Sequence, residues 1–148
     1  ELGALRYVGR LDRPTEGLLL LTNDGDVANG LQHPSRGVER EYLVGANGEV
    51  SRASLATLTQ GVDLEDGLAK AASVRIVERG KLDTTLRLVL TEGRKREVRR
   101  MMLEVGHGVS RLVRLRFGTI TLGDLKAGAW RELEHDERKS LVALSIRG

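Results

Sequence analysis

The stretch GRLDRPTEGLLLLTNDG, residues 9–25, carries the strongest structural signal in the chain. Its second half, Gly17–Thr22 (GLLLLT), is a continuous apolar run that is closed by the turn-forming residues Asn23, Asp24 and Gly25. Such a run is typical of a strand that is buried on both faces. The pattern therefore predicts that Gly17–Thr22 forms a central strand of a sheet.

The first half of this stretch places a carboxylate, Asp12, in a short loop directly before the predicted strand. Loops on a rigid scaffold commonly present catalytic side chains, which makes Asp12 a candidate catalytic residue. An aspartate between two arginines, here Arg10 and Arg13, is nevertheless more often a turn former or part of a surface ion pair. The residues by themselves leave both interpretations open.

Periodicity and turn residues predict the remaining elements. Further strands are predicted at Glu41–Gly45, Ala72–Val77, Thr84–Thr91, Val109–Leu122 and Trp130–Leu133. Helices are predicted from a cap at Asp26 to Leu31, from a cap at Ser51 to Gly61, between Gly93 and Gly106, and from His135 to Leu144 with Leu141, Val142 and Leu144 turned inward. Asn47-Gly48 predicts a tight reversal after the Glu41–Gly45 strand.

The order of these elements favours an α+β fold. Helices of uneven length and hairpin turns separate the strands, without the regular spacing of βαβ units. We therefore expect a mixed, mostly antiparallel sheet with flanking helices. A chain of 148 residues is long enough for one such domain.

Positive charge is concentrated in one segment. Residues 93–116 contain eight Arg or Lys against two Glu, although the whole chain carries a formal net charge of only +3. Most of the basic residues are arginines, whose planar side chains pair with phosphate and stack on bases. This segment favours a polyanionic partner, and nucleic acid over a membrane surface. The alternative is a solvated helix face.

Other features exclude several classes of protein. No stretch approaches the ~20 consecutive apolar residues that a membrane helix needs. The chain has no cysteine, so it has neither a disulfide framework nor a thiolate metal site. His33, His107 and His135 lack the spacing of metal ligands, and we expect no metal site. The simplest location is the cytoplasm. The chain does not begin with Met, which suggests a fragment or a processed form.

The motif at residues 9–25 resembles the signature of the RsuA/RluB-type pseudouridine synthases, which modify ribosomal RNA. Two later segments, Thr91–Met101 (TEGRKREVRRM) and Ser110–Leu115 (SRLVRL), resemble further motifs of that family. His33-Pro34 and Glu39–Val44 (EREYLV) are similar to the segment that supplies the family's active-site tyrosine. Val62–Gly67 (VDLEDG) resembles the RluB branch in particular. The resemblance covers nearly the whole chain and implies the pseudouridine synthase catalytic fold.

The resemblance implies a role for individual residues. Asp12 corresponds to the carboxylate that acts when the bond between uracil N1 and ribose C1′ breaks, and Tyr42 to the residue that stacks on the extruded uracil. Arg99 corresponds to the basic partner of the carboxylate, and its position about 100° from Val98 on the helical wheel would let it reach a cleft. A remaining set is expected to bind RNA, with Arg96 and Arg100 free for phosphate: Arg10, Arg94, Lys95, Arg96, Arg100, Arg111 and Arg114.

A purely structural role stays open for several of these residues. A tyrosine in an amphipathic strand is usually a core residue with a wet hydroxyl group, and Arg99 could simply lie along apolar surface. Arg40 stands where many relatives have Lys, and we assign it no catalytic role. The reaction implied by the resemblance requires no cofactor and no metal.

The expected activity is isomerisation of a specific uridine in ribosomal RNA, 23S rather than 16S. The alternatives are a noncatalytic rRNA-binding or ribosome assembly module, and a nuclease or glycosidase that uses Asp12 with Glu16. Residues 1–148 are expected to be a catalytic domain from which the family's N-terminal S4-type RNA-binding domain and first strands are absent. Nothing in the sequence demands more than a monomer.

Overall fold

The computed structural model describes residues 4–146, and the elements below lie within that range. The helices are α1 (Gly25–Gln32), α2 (Arg52–Gln60), α3 (Glu97–Glu104) and α4 (His135–Ser145). The strands are β1 (Arg6–Val8), β2 (Thr15–Gly17), β3 (Leu20–Thr22), β4 (Arg40–Asn47), β5 (Val62–Leu64), β6 (Gly67–Ala69), β7 (Ser73–Arg79), β8 (Asp83–Leu90), β9 (Val109–Phe117) and β10 (Ile120–Thr121). None of these helices is long and apolar enough to cross a bilayer.

The main sheet has the strand order β10-β9-β4-β8-β7, and all of these neighbours are antiparallel. Strand β2 adds a parallel pairing to β9. Two small antiparallel pairs, β1-β3 and β5-β6, lie outside this sheet. The predicted α+β fold with a mixed, mostly antiparallel sheet is confirmed.

Strand β4 occupies the centre of the sheet, and its alternation positions the site described below. It is hydrogen-bonded to β8 on one side and to β9 on the other. Arg40, Tyr42, Val44 and Ala46 are buried, whereas the residues between them are half-buried. Side chains two apart on a strand share a face, so Arg40 and Tyr42 lie on the same side as the apolar core.

Two apolar cores stabilise the domain. The main core packs α2 and α3 against one face of the sheet and includes Leu58, Leu88, Met101 and Met102. A second core joins α1 and α4 to the region of β1 and β3, and Phe117 lies within it. Phe117 is the last residue of β9, so the second core closes the end of the sheet where Arg40 lies.

The prediction of a central, doubly buried strand at Gly17–Thr22 is wrong. The run divides into β2, which pairs with β9, and β3, which pairs with β1. Leu18 and Leu20 are buried, but Leu19 and Leu21 are exposed. Gly17 breaks the strand because its φ of +108° lies outside the extended region of the backbone. The break lets the segment alternate between core and solvent at the edge of the domain.

Several smaller predictions also needed correction. The α1 cap is Asp24, which accepts from the N–H groups of Asp26 and Val27, rather than Asp26 itself. Trp130–Leu133 forms no strand, and Val142 in α4 is exposed.

Local signals were accurate where the chain offered a specific cap. Ser51 caps α2 by accepting a hydrogen bond from Ser54 N at 3.1 Å, and Gly61 ends that helix. The amphipathic helix before Gly106 is present as α3, with Val98, Met101 and Met102 buried.

Gly118 divides the predicted Val109–Leu122 strand into β9 and β10.

Candidate active site

The structure places Asp12 at the N-terminal end of α3. Oδ2 of Asp12 accepts a hydrogen bond from the backbone N–H of Arg96 at 3.1 Å. Arg96 is the N-cap residue of α3 and has a left-handed φ of 54°, which points its N–H toward the Asp12 loop. The positive end of the helix dipole favours a negative charge at this position. Asp12 is thus held as an oriented carboxylate by a segment 84 residues away in the sequence.

A second carboxylate, Glu97, holds the same turn from inside. Oε1 of Glu97 accepts from Arg94 N at 3.0 Å, and only 3% of the residue's surface is exposed. Burial, with a smaller contribution from a hydrogen bond to Glu92, raises the pKa of Glu97 from 4.5 to about 7. The segment 94–96 is therefore held by Asp12 on one side and by Glu97 on the other.

The raised pKa of Glu97 predicts a pH-dependent stability. Folding raises this pKa, so the folded protein holds more protons than the unfolded chain between about pH 4.5 and about pH 7. The free energy of unfolding should fall as the pH rises through that window. Glu97→Gln keeps the acceptor for Arg94 N–H and should flatten the fall, as measured by urea unfolding at a series of pH values. Glu104→Gln, an exposed change on the same helix, should leave the wild-type profile unaltered.

Asp12 and Tyr42 line one pocket of about 690 Å³. The Asp12 loop, the turn before α3 and the ends of β4 and β9 form its walls. Its basic lining residues are Arg10, Arg13, Arg40, Arg94, Lys95, Arg96 and Arg114, and its acidic ones are Asp12 and Glu97. Such a positively lined concavity is suited to an anionic polymer.

Tyr42 belongs to both the pocket and the main core. It is 9% exposed and lies on β4, beside Arg114 of β9 and Leu88 of β8. A register shift between Glu41 and Tyr42 occurs at this point of the β4-β9 pairing. The core interpretation and the functional interpretation of Tyr42 are therefore compatible, because this buried residue also lines the pocket.

Arg99 contacts the Asp12 loop but forms no ion pair within residues 4–146. Its Nη2 donates to the carbonyl oxygen of Pro14 at 3.3 Å, and its Nη1 donates to that of Val109 at 3.4 Å. Burial and the nearby Arg96 lower the pKa of Arg99, whereas Asp12 acts in the opposite direction. The direct pairing with Asp12 expected from the resemblance is not formed here. Arg99 holds the backbone of the loop that carries the carboxylate.

Two arginines expected to contact RNA are engaged with Asp66. Arg100 donates from both Nη atoms to the Asp66 carboxylate, at 2.7 and 3.1 Å. The expectation that Arg100 is free to bind phosphate is therefore wrong. Arg94 lines the pocket but also contacts Asp66 at 3.1 Å and Glu92 at 3.0 Å. Asp66 lies between β5 and β6, so these contacts tie that hairpin to the start of α3.

Arg111 lies outside the pocket and pairs with Glu16 at 3.1 Å, and both side chains are exposed. Glu16 itself does not line the pocket. A hydrolytic pair of Asp12 with Glu16 would require both carboxylates to face one substrate bond. Their separate surroundings argue against the nuclease or glycosidase alternative.

Sequence reasoning assigned no role to two buried charged residues of the pocket, Arg40 and Glu97. Arg40 is 3% exposed, lies 4.7 Å from the centre of the Phe117 ring, and donates to Val38 O at 2.7 Å. Its burial could have been inferred from the β4 alternation, because it shares a face with Tyr42 and Val44. Glu97 offered a weaker signal, a lone acid inside a basic run.

The chain is similar to known proteins over the segments that contain these motifs. The sequence profile of the family described as RNA pseudouridylate synthase matches residues 2–104. The chain is 49% identical over 128 residues to the ribosomal large subunit pseudouridine synthase B of Vibrio cholerae, covering 86% of this chain and 40% of that protein. For the protein of the same name from Escherichia coli K12 the identity is 50%, covering 86% and 44%. An uncharacterized RNA pseudouridine synthase of Aquifex aeolicus is 46% identical, covering 90% and 54%.

The fold agrees with solved structures. A crystal structure of a pseudouridylate synthase superposes with a TM-score of 0.85 at 30% identity, covering 94% of this chain and 60% of that one. A chain of an archaeal box H/ACA sRNP Nop10-Cbf5 complex shares the fold at 20% identity, with a TM-score of 0.61 and coverage of 81% and 40%. The chain spans about half the length of the curated relatives it matches. On the strength of its motifs, its sheet topology and the profile match, the chain belongs to the RNA pseudouridylate synthase family.

Proposed function

We propose that this chain isomerises a specific uridine of ribosomal RNA to pseudouridine, with Asp12 as the essential carboxylate. The observation that carries the proposal is that Asp12 and Tyr42 line the same basic pocket. The backbone N–H of Arg96 orients the Asp12 carboxylate there at 3.1 Å. A fixed carboxylate beside an aromatic side chain suits chemistry at a sugar carbon next to a stacked base.

The reaction exchanges one glycosidic bond for another. The bond between N1 and C1′ breaks, a bond between C5 and C1′ forms, C5 loses its proton, and N1 gains one, so no atom is added or lost overall. Asp12 takes part in the first cleavage, through either a covalent or a glycal intermediate. Tyr42 packs on the detached uracil and is positioned to help remove the C5 proton.

The target nucleotide has to leave its helical stack to reach this pocket. A base inside a duplex is inaccessible to catalytic groups, and enzymes that modify bases extrude them. Arg10 lies at the exposed rim, two residues before Asp12, and would occupy the space that the extruded nucleotide leaves. Lys95 and Arg96 are exposed at the same rim and would contact phosphates.

The names of the relatives guide the finer assignments. The Vibrio and Escherichia proteins are named as large-subunit enzymes, which supports 23S rRNA as the substrate over 16S. We infer that residues 1–148 act as the catalytic domain, as a monomer, in the cytoplasm where ribosomal RNA is made. Arg99 is assigned a positioning role, because it contacts the Asp12 loop and not the pocket.

The test is an in vitro assay on unmodified ribosomal RNA. The chain is incubated with 23S and 16S transcripts that carry tritium at C5 of uridine, and the release of tritium is measured. We expect release from the 23S transcript, and primer extension should then map a single pseudouridine. A noncatalytic binding module would retain the RNA without releasing tritium, and a nuclease or glycosidase would instead produce strand breaks or free uracil. Either of those results would overturn the proposal.

A further inference from the structure

Arg114 is a buried cation whose hydrogen-bonding capacity is only partly used within the described residues. It is 3% exposed, and its Nε donates to the carbonyl oxygen of Leu18 at 2.9 Å. Its Nη2 is sealed from solvent and has no hydrogen-bond partner in residues 4–146. A buried, unpaired donor on a charged group destabilises the fold. The fold maintains this cost beside the candidate active site, since Arg114 lines the pocket.

The surroundings of Arg114 are cationic and aromatic. Its guanidinium lies 5.1 Å from the centre of the Phe117 ring, and Arg40 lies 4.7 Å from the same ring. Within residues 4–146 neither arginine forms an ion pair with a carboxylate. Burial lowers the pKa of Arg114, and the Tyr42 phenol beside it partly opposes that shift. Glu97 and Glu92 act on Arg40 only at longer range, so this part of the pocket presents positive charge that no direct ion pair neutralises.

Gly9, the first residue of the Asp12 motif, lies close to this guanidinium. Gly9 has a φ of +68°, and a Cβ at that position would lie 3.7 Å from Arg114 Nη1 and 3.4 Å from the Phe117 ring. Arg114 also stands opposite Tyr42 in the β4-β9 register. A base that packs on Tyr42 beneath the Asp12 loop would therefore meet Arg114 at its edge.

The chemistry of the missing partner follows from the donor. A guanidinium has five N–H donors and no acceptor, so its partner must be an acceptor. Backbone phosphates are met by the exposed Lys95 and Arg96 at the rim, whereas Arg114 is reached only by a group that enters the pocket. Uracil offers two ring carbonyl oxygens, and cytosine replaces one of them with an amino donor that would face another donor.

We propose that Arg114 donates from Nη1, which lies beside Gly9 of the Asp12 motif, to a carbonyl oxygen of the extruded uracil. The inference rests on the proposed function and adds to it a residue that contacts the uracil base. When the N1–C1′ bond breaks, the electron pair stays on the base and spreads to O2 and O4. A guanidinium fixed at one of these oxygens is stabilising where the charge develops, without reorganisation.

The test measures binding of one synthetic RNA hairpin that carries the mapped uridine, in an Asp12→Asn background so that uracil RNA is not converted. Two analogue hairpins replace the target base by 2-pyrimidinone, which lacks O4, or by 4-pyrimidinone, which lacks O2. We expect one analogue to bind about 10- to 100-fold more weakly than uracil, the range of a lost charged hydrogen bond. Equal affinity for the uracil hairpin and both analogue hairpins would overturn the inference, and this result does not require an Arg114 variant.

A protein-side arm identifies the donor. Arg114→Met should weaken binding of the uracil hairpin by a similar factor. It should not further weaken binding of the sensitive analogue hairpin, because the same hydrogen bond cannot be lost twice. Arg116→Met is the matched control, since Arg116 is on the same strand but pairs with Glu39 and Glu41 outside the pocket. It should retain the full preference for uracil. Additive losses in Arg114→Met would contradict the inference.

The outcome also separates this inference from the function beneath it. Urea unfolding checks that Arg114→Met is folded; if it is not, Arg114→Lys, which keeps the buried positive charge but changes the geometry of the donors, is compared in its place. Pseudouridine formation together with equal binding of all three hairpins would refute the Arg114 role only. Failure to form pseudouridine in the tritium assay would refute the function itself.

Discussion

Replacement of Asp12 by asparagine is expected to abolish pseudouridine formation while leaving the fold intact. The amide oxygen can still accept the hydrogen bond from Arg96 N–H, now 3.1 Å from Oδ2, so the loop should keep its place. The negative charge that would act at C1′ is lost, and an amide is a far poorer nucleophile than a carboxylate. Loss of a catalytic group of this kind costs on the order of 10⁴-fold in rate. Tritium release from C5-labelled 23S rRNA measures the effect.

A matched control distinguishes this loss from a general effect of charge. Asp63→Asn makes the same chemical change at an exposed position on β5 that does not line the pocket. It should release tritium at the wild-type rate. Urea unfolding should give nearly equal free energies for wild type and both variants. Wild-type release by a folded Asp12→Asn protein would remove the carboxylate from the mechanism.

Replacement of Gly17 by alanine is expected to be the most damaging small substitution in the Asp12 motif. Gly17 has a φ of +108°, and an added Cβ would overlap the carbonyl oxygen of Arg114 and lie 2.6 Å from its backbone nitrogen. Neither obstacle is a flexible side chain, so the parallel β2-β9 pairing would have to separate. Backbone strain and overpacking together should cost at least about 3 kcal/mol of the free energy of unfolding.

The same substitution should also disturb the site, because β2 and β9 carry the Asp12 loop and Arg114 respectively. Gly37→Ala is the matched control: its φ is +60°, but nothing lies within 4 Å of an added Cβ. That variant bears only the cost of the left-handed conformation, about 1–2 kcal/mol. Urea unfolding of both variants measures the difference. Equal destabilisation would show that the close approach to β9 has no effect of its own.

Sequence patterns predicted those elements whose signals are local. Met101 and Met102 follow Val98 at helical spacing, and α3 forms there with all three buried. Strand β4 alternates as its residues suggest. The prediction of a central strand failed for a local reason: the GLLLLT run is apolar enough for such a strand, yet Gly17 turns the backbone and leaves Leu19 and Leu21 exposed. Hydrophobicity alone does not report that change of direction.

The sequence by itself determined the family, through the Asp12 motif and the basic segment, and it determined the α-helices and the long strands of the main sheet. Tertiary structure alone decided which charged residues meet. In the sequence, Arg100 lies next to the other basic residues of its motif, but its side chain is held by Asp66. Arg114 donates to the carbonyl oxygen of Leu18, which is 96 residues away in the sequence, and is buried beside Tyr42. Helix and strand periodicity is encoded within a few neighbouring residues, so a single sequence displays it. Burial and ion pairing depend on sheet register and on contacts between distant segments, which no local pattern contains.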